Sequence, residues 1–205
     1  KKKQSTGKDN KDFISAVNDA LLYAGILSHF SGDLSQPQHN SSNYDGWDSG
    51  QGGLHRYFES KVVNELSLSL DKEIFEAAIN NRPLAILMKS YPMSKRSAKD
   101  MVMALSIYSF KKIARLQDID KKHSLIKESQ KKSDQRPKKT YAKRKPAKEV
   151  TKYYHSIIVE QLSMSAAVTE WIWFDAWKKA GKPDLSGYKS YDYHLAPEFI
   201  PVDYL

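Results

Sequence analysis

An all-α fold follows from two features of this 205-residue sequence. Apolar residues recur at helical spacing in several separate stretches. Between them, Pro and Gly fall where helices end: Pro37, Pro83, and Gly181 followed by Pro183. At this length a single domain, residues 1–205, with a real core is expected.

The elements follow in order. KKKQSTGKDN is a polar, basic start that reads as a loop, with Asp9 or Asn10 placed to cap the first helix. Phe13, Val17, Leu21, Ala24 and Leu27 form one stripe, so the first helix runs from about Phe13 and delivers His29 and, in its last turn, Asp33. A turn at Pro37 reverses the chain and presents His39. Residues 43–53 hold four glycines, with Tyr44 and Trp47 as the large apolar groups. They form either a surface connection whose aromatics pack locally or a lid whose aromatics line a substrate cleft. Leu54, Phe58, Val62, Leu66 and Leu70 define a second helix, with His55 and Glu59 at the edge of its stripe. A third helix starts near Asp71 and is interrupted by Pro83. Ser94 or Ser97 caps a fourth, which buries Ala98, Met101, Val102, Leu105, Tyr108 and Ile113. The longest pattern, Val150 to Ala180, closes at Gly181, and its Trp171–Trp177 cluster reads as core packing. Residues 182–205 are rich in Tyr and Pro and lie irregularly over the surface.

Three of the six histidines fall within residues 29–59, beside carboxylates. His29 and Asp33 are four apart, as are His55 and Glu59; on a helix such pairs share a face, with Cβ atoms about 5–6 Å apart. His39 lies between the two pairs. Imidazole nitrogen with carboxylate oxygen suits zinc, and three protein ligands with an open fourth position is the catalytic form of such a site. His39, His55 and Glu59 make one such trio; His29 and Asp33 supply two ligands of another. Of the remaining histidines, His123 reads as solvated, His155 as a core histidine, and His194 lies in the tail.

The run His29-Phe-Ser-Gly-Asp33-Leu-Ser-Gln36-Pro37-Gln-His39, followed by Gly53-Leu-His55-Arg-Tyr-Phe-Glu59, resembles the bacterial zinc-dependent phospholipases C and the related single-strand-specific zinc nucleases. Glu59 and the modest gap from His39 to His55 are more similar to the phospholipase branch. The resemblance implies a multi-helix bundle of that type with up to three zinc ions, at least one of them here. It implies that Asp33 is the catalytic bridge between two ions, with His29 anchoring one, and that His39, His55 and Glu59 hold another. The substrate it implies is a phosphodiester, either a phospholipid or single-stranded nucleic acid, and the location periplasmic or secreted. Family members carry further His and Asp ligands and an N-terminal Trp upstream of this motif. Only 28 residues precede His29, and they contain neither His nor Trp. The resemblance therefore implies the C-terminal part of such an enzyme, with the remaining ligands either on an N-terminal companion chain or absent altogether.

Charge adds a second theme. Residues 111–148 hold fifteen Lys or Arg against four acids, a balance of +11, while the whole chain carries +9. Within them, residues 129–148 are poor in apolar groups and read as a basic flexible insertion between two helices. It is either a solvated loop or an electrostatic footprint for phosphates or anionic headgroups; Tyr141 is its one aromatic, so support for base stacking is thin. The absence of Cys excludes disulfides, thiolate ligands and a cysteine nucleophile. No unbroken run of 18 or more apolar residues exists, so no transmembrane span is expected. The expected function is a zinc-dependent phosphodiester hydrolase using metal-activated water; the alternative is an inactive relative that keeps a structural zinc and binds an anionic partner through its basic loop.

Overall fold

Leu54, Phe58 and Val62, spaced by four, are all buried, and they meet Tyr154, Ile157 and Ile158 of a helix nearly a hundred residues further on. That contact anchors a computed structural model describing residues 11–66, 69–91, 96–130 and 140–185. The fold is all-α. The described helices are α1 (Lys11–Ser35), α2 (Leu54–Arg56), α3 (Leu70–Asn80), α4 (Pro83–Ser90), α5 (Ala98–Phe110), α6 (Ile113–Ile119) and α7 (Ala147–Lys179), with 3₁₀ or π turns between α1 and α3 and after α6. Strands β1 (Leu125–Lys127) and β2 (Lys143–Arg144) pair antiparallel, with Leu125 opposite Arg144. The chain divides into two compact units, Lys1–Trp173 and Phe174–Leu205.

Two core clusters organise the first unit. One is built on Leu54, Phe58, Val62, Leu116, Tyr154 and Ile157. The other gathers Leu87, Met101, Ala104, Leu105, Met164 and Val168. Local chemistry sets the ends of the elements. Pro83 occupies the first turn of α4, where its missing N–H costs nothing. Ser97 opens α5 with a reciprocal capping box to Asp100. The end of α1 is tied down by Asn40, whose Nδ2 donates to the carbonyls of Leu34 and Gln36 at 2.9 and 3.0 Å. Further along, Gln161 of α7 donates to the Ser35 carbonyl at 2.5 Å, and Ser31 bonds to Thr169.

Several expectations need correction. The second helix is not one α-helix from 54 to 70. After three α-helical residues it widens into a π turn over Tyr57–Val62, closes with a 3₁₀ turn and ends at Leu66. The wider turn lets Tyr57 and Phe58 both face inward, against the Tyr154 ring at 6.4 and 5.9 Å. The ends of the basic insertion are part of the fold: Ser129 donates to the Gly50 carbonyl through its backbone N–H, Lys143 and Arg144 form β2, and Tyr141 packs on Trp47. Residues 131–139 of that stretch lie outside the described residues, as do the expected caps Asp9, Asn10 and Ser94. Trp47 is buried, whereas Tyr44 is exposed. The aromatic cluster near the end of α7 is not core throughout. Trp171 and Ile172 pack on the second cluster, but Trp173 and Phe174 are exposed. Among the described residues one helix, α1, is long and apolar enough to cross a membrane by length and composition, because dispersed polar residues do not lower its hydropathy far. It exposes Leu21, Leu22, Tyr23, Ile26 and Phe30.

The second unit is described over residues 174–185. Phe174 stacks with Trp177 at 5.7 Å, and the Trp177 indole donates to the Pro183 carbonyl. Gly181, at φ 82°, ends the helix: its N–H reaches the Lys178 carbonyl and that of Lys182 reaches Trp177.

Candidate metal centre

The end of α1, the 3₁₀ turn Pro37–Asn40 and the turn from α2 into the π segment bring five donors into one chain of contacts. Gln36 starts the 3₁₀ turn by accepting the Gln38 N–H on its side chain at 2.6 Å, with Pro37 fixing the next residue. That turn aims His39 back at α2. His55 Nε2 lies 2.9 Å from Glu59 Oε2, and His39 Nε2 lies 3.4 Å from the same oxygen. The two imidazoles stack, with their Nε2 atoms 3.2 Å apart. One ligand atom from each of His39, His55 and Glu59 falls within 4.8 Å of the others. Asp33 is joined to this trio through His39 Nδ1 at 3.9 Å, and to His29 Nε2 at 3.4 Å. All five sequence-predicted residues therefore lie in one cluster. His29 is its most open member, with 72% of its side chain exposed.

No family model, curated protein or solved structure matches this chain.

The electrostatics fit a cation. Hydrogen bonds from His39, then His55, hold the Glu59 carboxyl far below the usual carboxylate range, against the opposing effect of burial. Its hydrogen bond to Glu59 raises His55, helped by the Tyr44 carbonyl and Asp45 and opposed by burial. Without metal, the proton on His55 is held more tightly than usual, and a divalent ion bound there has to displace it. Neighbouring groups fix the His55 ring. His55 Nδ1 sits 3.2 Å from the Tyr44 carbonyl, which only accepts, so the neutral ring carries its proton there and turns the Nε2 lone pair toward Glu59. Gln36 Nε2 lies 3.3 Å from the same Nδ1, and Asp45 accepts the His55 backbone N–H at 3.2 Å. Two imidazoles and a carboxylate, half open to solvent, are a donor set that fits zinc.

Sequence reasoning gave Tyr44 only a possible lid role through its ring, and passed over Asp45 and the side chain of Gln36. Gln36 stood inside the recognised motif, but Tyr44 acts through its backbone, which no residue pattern announces. The other described histidines lie apart from the cluster. His123 stacks on Tyr153 at 3.7 Å, and His155, expected in the core, is 41% exposed and pairs with Glu73 at 2.7 Å. His194 lies outside the described residues.

Proposed function

We propose that the protein is a zinc-dependent phosphodiester hydrolase. The observation that carries this reading is the convergence of His39, His55 and Glu59, with Asp33 adjoining through His39. His39, His55 and Glu59 would hold one zinc; Asp33 and His29 would contribute to a second. When bound, zinc supplies Lewis acidity to a phosphoryl oxygen and lowers the pKa of its water to about 7. The Tyr44 carbonyl orients His55, Gln36 shapes the turn that carries His39, and Asp45 fixes the backbone turn that carries His55. His39 serves both sides, with Nε2 toward Glu59 and Nδ1 toward Asp33. The resemblance to zinc phospholipases C and zinc nucleases supports the same chemistry and a periplasmic or secreted location. Phosphatidylcholine and single-stranded DNA, each assayed with and without a chelator, test the reading. It expects chelator-sensitive, zinc-restored hydrolysis of one of them; zinc-replete protein that cleaves neither contradicts it.

A second reading is favoured by the completeness of the trio alone. Three ligands gathered on two turns also suit a structural zinc in an inactive relative. A tightly held single zinc whose removal lowers the melting temperature, with no phosphodiesterase activity, selects that reading.

A further inference from the structure

The turn that carries the metal ligands has a second side. Glu59 and His55 face the cluster, while Arg56, Tyr57 and Lys61 line a cleft of about 660 Å³ whose other walls come from Tyr141 and from the residues around Lys145 that follow β2. Asp45 belongs to both places: it accepts the His55 N–H and also lines the cleft. Tyr57 donates to the Lys145 carbonyl at 2.8 Å and so joins the two walls.

The cations here differ in availability. Arg144 is committed: it pairs with buried Asp120 through Nε at 2.7 Å and donates to the Gln51 and Gly52 carbonyls. Arg56, Lys61 and Lys145 are exposed, and among the described residues no carboxylate forms an ion pair with any of them. Three open cations face one carboxylate, Asp45. Tyr141 is 69% exposed and is held from behind by Trp47, ring centroids 5.1 Å apart. It also lies against Gly53, where a Cβ would come within 2.9 Å of its ring. An exposed aromatic face fixed in place beside a row of cations is the arrangement that single-strand binding uses. Cations spread over two elements suit a polyanion better than one headgroup phosphate.

We infer that this cleft is a subsite for single-stranded nucleic acid, with Arg56, Lys61 and Lys145 meeting backbone phosphates and Tyr141 stacking a base. Its purpose, to lead a strand to the neighbouring metal cluster, rests on the hydrolase reading; the binding itself does not.

The test measures anisotropy of a fluorescent oligothymidylate on protein stripped of metal with chelator, so that no cleavage intervenes. Arg56→Gln, Lys61→Gln and Lys145→Gln together raise Kd at low salt by about tenfold or more and flatten the slope of log K against log salt by about 2, at about 0.7 per phosphate contact. Tyr141→Ala raises Kd by about fivefold or more while Tyr141→Phe does not, as expected for stacking. The Arg56→Lys, Lys61→Arg, Lys145→Arg protein keeps its affinity, and circular dichroism shows that every variant is folded. A triple Gln variant that binds like the wild type overturns the inference. So does tighter wild-type binding to phosphatidylglycerol vesicles than to the oligonucleotide, or competition by inorganic phosphate as effective as by the strand. Zinc content, measured on untreated protein, separates the two proposals: the subsite stands and the hydrolase reading falls if the strand binds as described but no zinc is held, and the reverse holds if zinc-dependent cleavage survives in an unaffected triple variant.

Discussion

His39 and His55 stack at a centroid separation of 4.7 Å with an interplanar angle of 21°, and both direct Nε2 at one Glu59 oxygen. Parallel imidazoles in that attitude gain most from a shared cation. His39→Ala, His55→Ala and Glu59→Gln should each weaken zinc binding by more than about 100-fold, because loss of an outer-shell partner already costs about 10–100-fold. Competition titration against a chromogenic chelator measures this.

Gln36 is such an outer partner. Its Oε1 starts the turn that aims His39, and its Nε2 touches His55. Gln36→Leu should cost about 10–100-fold in zinc affinity and leave the melting temperature of the metal-free protein close to that of the wild type. A large drop in that temperature with unchanged zinc affinity would assign Gln36 to the fold alone.

Away from the site, stability concentrates at Asp120. It is fully buried and receives Arg144, Gln51 Nε2 at 2.9 Å and the Tyr154 hydroxyl at 3.2 Å. Arg144→Met leaves that carboxylate buried without its cation and should cost about 3–5 kcal/mol in urea unfolding. Asp120→Asn combined with Arg144→Met should cost less than Arg144→Met alone, since the stranded charge is then gone.

Glu160 gives the pH dependence. Burial pushes its carboxyl up, but Lys112 at 2.5 Å, Tyr108 and Arg115 at 2.6 Å outweigh that, and the folded value lies below the ordinary 4.5. The unfolded chain therefore binds this proton more tightly. The contribution is complete above 4.5 and fades as pH falls through the folded value. Glu160→Gln should lower stability at neutral pH and shrink the acid-side loss, read from unfolding midpoints at neutral and acidic pH.

Much of this was legible in the sequence where spacing carries the signal. Leu54, Phe58 and Val62 announced their buried face, Pro83 its break, and Ser97 was one of the two caps offered for α5. The five donor residues were legible because two pairs sit one helical turn apart. What escaped has a common cause: it depends on contacts between distant segments. Arg144 looked like one cation in a basic run, yet Asp120 draws it inside and so anchors β2. Tyr141 looked isolated until Trp47 came up behind it. The π turn at Tyr57–Val62 obeys the same apolar spacing as an α-helix, so periodicity could not separate them. Trp173 and Phe174 were assigned to the core on hydrophobicity alone, and both are exposed.

The most direct test is a crystal of zinc-loaded protein measured at the zinc absorption edge. The account predicts an anomalous peak at about 2.0–2.2 Å from one nitrogen each of His39 and His55 and from a Glu59 oxygen. A map with no peak among those side chains, or with zinc bound elsewhere while they stand apart, would contradict it.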